Sequence, residues 1–229
     1  MKRKLFPVWS SEAFRSSIRA GANQAYRRVR IDPSAYLHHV QRAHHLPIQK
    51  WEDVFYLGAH NLKPHADSVI RASSKAAALE GMGLGLGGLL TVVPDMGILS
   101  AITLRLLQKL SLLYGFEYTT EEEAVELWIA AASAAGLDLG REILEKQGIS
   151  RIVPFIMDRV AIRVGEEIAE KWTARLIPLV SAGAGGALNY YFVRGWGRRA
   201  QKHFEQRHSV VRAQRFSRGL LSPDQPFAM

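Results

Sequence analysis

At 229 residues and 48% hydrophobic content, the chain is long enough to bury a core and too apolar to be disordered throughout. It contains no cysteine, which excludes disulfides, thiolate nucleophiles and sulfur-ligated zinc. The formal charge of +9 sits at the ends: residues 1–30 and 194–218 each carry +7 around a middle of −4, a distribution that attracts phosphate on anionic lipid or nucleic acid.

Residues 5–9 are too short for the apolar core of a secretory signal, so none is expected. The Arg- and Ser-rich residues 10–30 resemble a transit peptide only superficially. Ser10 or Ser11 can cap a first helix with Phe14, Ile18, Ala22, Ala25 and Val29 on one face. This gives a basic amphipathic segment over residues 1–32, ended by Pro33. A second helix is expected over 34–45 and a third over 51–62, ahead of Pro64. From His65 the pattern is helical again through Ala76-Ala77-Ala78 into the glycine stretch 81–88.

Pro94-Asp95 interrupts the apolar run, and a helix starting near Asp95 places that carboxylate at its positive end. Ile98, Leu99, Ile102, Leu106 and Leu110 follow along one face, and Gly115 terminates the helix. Thr120 and Glu123 form a capping box for the next. Gly136, Gly140 and Gly148 divide the following region, and Pro154 opens a helix over about 154–174. Pro178 introduces a second glycine-rich apolar helix that runs through Asn189, Tyr190 and Tyr191 into a basic helix over 194–216. The tail over 217–229 is expected to be disordered. No stretch alternates as a strand does and no Asn-Gly or Asp-Gly hairpin signal occurs. The fold class is all-α, a single helical domain over 33–216 with two glycine-rich apolar helices packed centrally.

Small residues recur at spacing four in both stretches: Gly81 with Gly85, Gly83 with Gly87, Ala182 with Gly186, and Gly183 with Ala187. One face of each helix is nearly bare, which allows close backbone approach. That face can close on the other helix, or Gly81, Gly83, Gly85, Gly87, Gly183 and Gly186 can contact lipid or an acyl chain. Residues 176–193 carry no charge and reach the length of a span, with Trp172, Tyr190, Tyr191 and Trp196 near the ends. Pro178, Asn189 and the small residues make the segment weakly apolar, however, and Asp95 splits the other one. A hairpin dipping into one leaflet fits better than two crossings, which remain an alternative.

The chemistry-bearing motifs fail. Gly83, Gly85 and Gly88 match the dinucleotide fingerprint in letters, but a helix precedes them and the ribose-binding acid is missing. No phosphate-loop, nucleophile-elbow or zinc-protease motif occurs. His38 and His45 share a face, but the nearest carboxylates for a metal site are Asp32, Glu52 and Asp53, and histidines flanking a turn explain the pattern. No metal or cofactor is expected. In the basic helix the charges are spread around the wheel, with few aromatics for base stacking. A polybasic segment directly after an apolar helix favours an anionic membrane surface over nucleic acid, with Arg194, Arg198, Arg199 and Lys202 as the contacts.

The blocks 77–88, Pro94-Asp95, Leu104-Arg105, and Leu113-Tyr114-Gly115-Phe116 are followed by Pro178, Gly183, Gly186, Asn189, Ala200 and Phe204. In that order and spacing they resemble the EcsC protein family of bacteria over roughly residues 60–210. The family takes its name from a gene beside the components of an ABC exporter, which implies an accessory role near a membrane transport system and brings no established reaction. Asp95, Arg105 and Asn189 match the pattern as polar residues in apolar surroundings. They are candidates for a site or for a hydrogen-bonding network that fixes helix packing. The expectation is a non-enzymatic helical protein at the cytoplasmic membrane face, its partners anionic lipid and a membrane protein complex. The alternatives are a hydrolase-like enzyme on a lipid-like substrate, using Asp95, Arg105 and a histidine from 38–65, and a soluble interaction scaffold.

Overall fold

Local signals set the ends of most helices. In the computed structural model, residues 29–84, 92–137, 152–160, 162–163, 167 and 182–222 are described. Helix α1, Pro33–His44, starts where Asp32 accepts from the Ser34 amide and Pro33 occupies the first turn, where its missing N–H is not needed. A 3-10 helix, Trp51–Tyr56, holds its start with the Asp53 carboxylate, which takes the Gln49 and Lys50 amides. Helix α2, Ala59–Leu84, then runs without a break through Pro64. The chain therefore breaks at Leu57-Gly58, and the expected helix over 51–62 is replaced by two elements.

Helix α3, Val92–Leu113, begins ahead of Pro94-Asp95, so that pair lies in its first turn. It ends as the glycine signal requires. Gly115 has φ +86, and the amides of Gly115 and Phe116 bond back to the carbonyls of Leu112 and Ser111. Helix α4, Glu121–Ala134, opens on the Thr120–Glu123 capping box, with reciprocal bonds of 3.2 and 3.0 Å. Residues 152–160 are helical and turn Ile152, Ile156 and Val160 inward at spacing four. Helix α5, Ala182–Ser217, is continuous over 36 residues, so glycine-rich and basic segments form one rod about 54 Å long. Among the described residues there is no strand, and the fold is all-α. The first expected helix and residues 223–229 of the tail lie outside the described residues.

One core joins the elements. The most extensive packing is between α2 and α5, which run antiparallel: Gly81 lies on Gly185 and Asn189, Ile70 on Gly197, and the Leu57 carbonyl on His208. α3 runs parallel to α5, since Leu106 also meets Gly197 and the Tyr114 carbonyl bonds His208 at 2.9 Å. α4 crosses back along α5, placing Glu126 on His203 and Arg207 and the Ala134 carbonyl on Arg199. Helix α1 docks through the 3-10 helix: Tyr36 stacks on Trp51 at 5.9 Å, Trp51 donates to the Pro33 carbonyl, and Gln41 donates to that of Ile48.

Candidate functional site

The glycine end of the bundle is built by the crossing of α2 and α5. A β-carbon at Gly186 would stand 2.8 Å from the Ala78 carbonyl oxygen and 2.6 Å from Met82 Cγ. Gly81 is equally close to Gly185 and Asn189, so each helix presses its backbone on the other. Gly81, Gly185 and Gly186 are buried. Gly81 and Gly186 thus face protein and not the outside. Gly85 and Gly87 lie outside the described residues, and Gly83 and Gly183 are described only as helical backbone.

Side chains around this crossing do face outward. Leu79 is 67% exposed and Tyr191 69%, with Met82 and Ile98 also exposed. Their heights can be compared because a β-carbon on Gly197 would meet both Ile70 and Leu106, which puts α2, α3 and α5 at one level there. Toward the glycine end from that level, Arg71 and Arg105 stand about 1.5 Å along, Arg194 about 4.5 Å and Lys75 about 7.5 Å, at 1.5 Å per residue. Tyr191 follows at about 9 Å, Ile98 at about 12 Å, Leu79 at about 13.5 Å and Met82 at about 18 Å. Three helices therefore carry cations first and apolar side chains beyond them, with the half-buried Glu80 among the latter. Arg71, Lys75 and Arg105 are exposed and outside every ion pair among the described residues. Lys109, one turn from Arg105, is half-buried; burial and the Arg105 charge hold its ammonium below the ordinary lysine value.

The cations of the basic helix have other partners. Arg198 pairs with Asp67 at 2.6 Å, and Gln201 donates to the same carboxylate oxygen at 2.9 Å. Burial pushes the Asp67 carboxyl up, but the bonds from Gln201 and Lys63 and the Arg198 charge outweigh it and hold it below its ordinary value. Arg199 pairs with Glu167 at 3.6 Å, donates to the Ala134 carbonyl and lies over the Trp196 ring. Arg207 and His203 both bond Glu126, at 2.9 and 3.0 Å, and this outweighs the burial of that carboxyl. Arg194 donates to the Tyr190 hydroxyl at 2.8 Å. Of the four cations expected at an anionic surface, Arg198 and Arg199 are engaged within the fold and Lys202 is exposed. Trp196 is buried and donates to Glu167, so it is no part of an aromatic belt.

Asn189 and Arg105, two of the three polar candidates, separate. Asn189 is buried in the α2–α5 crossing against Gly81, Arg105 is exposed on α3, and the Asp95 side chain lies outside the described residues. A groove of about 740 Å³ lies at the other end, lined by Lys50, Glu52, Tyr56, Arg215, Arg218 and Leu220 among others, and by none of these three. Among the described residues no cluster of histidine and carboxylate side chains is arranged to hold a metal ion. No helix among them is long and apolar enough to cross a membrane.

The model of the EcsC protein family matches residues 10–208. The chain is also similar to "Protein EcsC" of Bacillus subtilis (strain 168), with 30% identity over 149 residues, 62% of this chain and 61% of that protein. The chain thus spans less than two thirds of the curated relative it matches. No solved structure matches it.

Proposed function

The chain belongs to the EcsC protein family, and we propose that it attaches peripherally to an anionic membrane surface through the glycine end of its bundle. The observation that carries this reading is the order of side chains along the bundle. Exposed Leu79, Met82, Ile98 and Tyr191 stand beyond exposed Arg71, Lys75 and Arg105. Apolar groups at the tip would enter the acyl boundary, while cations one or two turns behind would reach phosphate. Tyr191, with an apolar ring and a polar hydroxyl, suits the interface between them. The close Gly81–Gly186 crossing holds the α2 and α5 backbones against each other at that end. On this reading the protein works at the inner face of the membrane, without a reaction of its own, beside the transport components the family resemblance implies.

Flotation with vesicles tests the proposal. Wild-type protein should float with phosphatidylglycerol vesicles more than with phosphatidylcholine vesicles, and Leu79→Asp with Met82→Asp should abolish flotation while helix content is kept. Absence of the wild-type chain from both vesicle types would end the reading. An interaction scaffold is the second reading, favoured by the burial of Gly81 and Gly186 within the helix pair. It predicts no vesicle association and an unchanged result for the aspartate variant.

A further inference from the structure

Six of the eight histidines fall between residues 38 and 65, and the fold gathers three of them where α1 meets α2. The His44 ring, at the end of α1, meets the His65 ring of α2 edge to face with centroids 5.0 Å apart. His39 approaches His44 in the same manner at 6.5 Å. Beyond it, His39 stacks on Tyr36 at 5.8 Å and Tyr36 stacks on Trp51. A row of rings thus links α2, α1 and the 3-10 helix. His44 and His65 are half-buried.

Neutral imidazoles pack this way at little cost, but two imidazolium rings at that separation repel. Among the described residues the surroundings offer no compensation. The charges felt by His44 come from His39 and His45 on its own side and His65 on α2. Lys63 and Asp67, which flank His65 on α2, pair with each other at 3.2 Å. Arg42 on α1 donates to the His38 carbonyl and His38 bonds Gln41. On the 3-10 helix the Asp53 carboxylate is taken by backbone amides, and Glu52 faces Glu117.

We propose that this histidine seam is an acid-sensitive latch: with His44 and His65 neutral, α1 stays docked on the 3-10 helix and α2, and their protonation releases α1 while α2, α3 and α5 stay packed. The electrostatics support the geometry. Burial, then the charges of His65, His39 and His45, hold His44 below the ordinary histidine value, and burial does the same for His65. A depressed value in the docked state means that the docked state binds fewer protons than the released one. Docking is therefore fully stable above about pH 6.5 and weakens as the pH falls below it. Release would carry Tyr36 and Val40 out of the core. Nothing in the latch depends on lipid, so its test and the vesicle test fail independently.

The experiment is nuclear magnetic resonance on the full chain between pH 7.5 and 5.5. Both ring midpoints should lie below the value of the same residues in the urea-unfolded chain. The Trp51 indole N–H, which bonds the Pro33 carbonyl, and the α1 amides should lose protection at pH 5.5, after correction for intrinsic exchange, while the Trp196 indole keeps its own. His65→Asn should raise the His44 midpoint, and His44→Asn with His65→Asn should remove most of the acid-induced opening of α1. Midpoints at or above the unfolded values, or equal α1 opening at the two pH values, would overturn the latch. Should the double variant be unfolded at pH 7.5, the wild-type midpoints and protection decide between these outcomes.

Discussion

A β-carbon added to Gly81 would sit 2.6 Å from Asn189 Nδ2 and 2.8 Å from the Gly185 carbonyl oxygen. The side-chain amide can turn aside, but the carbonyl belongs to a helix backbone and cannot. Alanine gains about 1 kcal/mol of helix propensity over glycine. Overpacking of this kind costs about 1–3 kcal/mol, so Gly81→Ala should destabilise by up to about 2 kcal/mol in urea unfolding. Gly195 supplies the contrast, since its β-carbon would meet Arg199 Nη1 at 3.5 Å, an ordinary contact. There the propensity term wins, and Gly195→Ala should stabilise by up to about 1 kcal/mol. Spacing four in the sequence pointed to Gly81 and Gly186 as close-packing residues, because a bare helix face has few other uses. The sequence could not show that Arg198 and Arg199 lie against Asp67 and Glu167. An ion pair 131 residues apart depends on the antiparallel register of α2 and α5, which no local pattern encodes.

Helix ends were more legible than helix interiors, and the reason is chemical. A cap is a short-range bond between residues a few positions apart, so Thr120 with Glu123 and Gly115 after Tyr114 announce themselves. The Glu123 carboxyl is held below its ordinary value first by the Thr119 hydroxyl and then by the Thr120 amide. Thr120→Ala removes the acceptor for the Glu123 amide and should cost about 1 kcal/mol, whereas Thr120→Ser should cost far less. Thermal unfolding of the two variants checks this difference. Pro64 misled for the opposite reason. It is the sixth residue of α2, so it removes one intrahelical bond near a terminus, and the long α2–α5 interface outweighs that loss. Tertiary packing decided the element, and the break moved to Leu57-Gly58.

At the scale of the whole bundle, two carboxylates act as struts between helices. Asp67 joins α2 to α5 and Glu126 joins α4 to α5, and both are held below their ordinary values despite burial. The folded state therefore binds fewer protons than the unfolded one. The stability they contribute is present above about pH 4.5 and is lost as the pH falls through the folded values. Acid unfolding of the bundle should accordingly come well below the pH at which α1 opens, and Glu126→Gln should narrow the gap. The same division between internal and outward charges gives the sharpest test of the membrane reading. Arg198 faces Asp67, so Arg198→Glu sets two carboxylates together and should lower the unfolding midpoint while leaving vesicle binding per folded molecule unchanged. Among the described residues Arg71 and Lys75 touch no acid, so Arg71→Gln with Lys75→Gln should leave the midpoint unchanged. At about 1 kcal/mol per basic side chain near an anionic surface, that double variant should bind phosphatidylglycerol vesicles roughly 30-fold more weakly. Raised salt should shrink the difference, because exposed cations are screened within a Debye length. Equal vesicle affinity for the two variants would place the contact elsewhere than the glycine end.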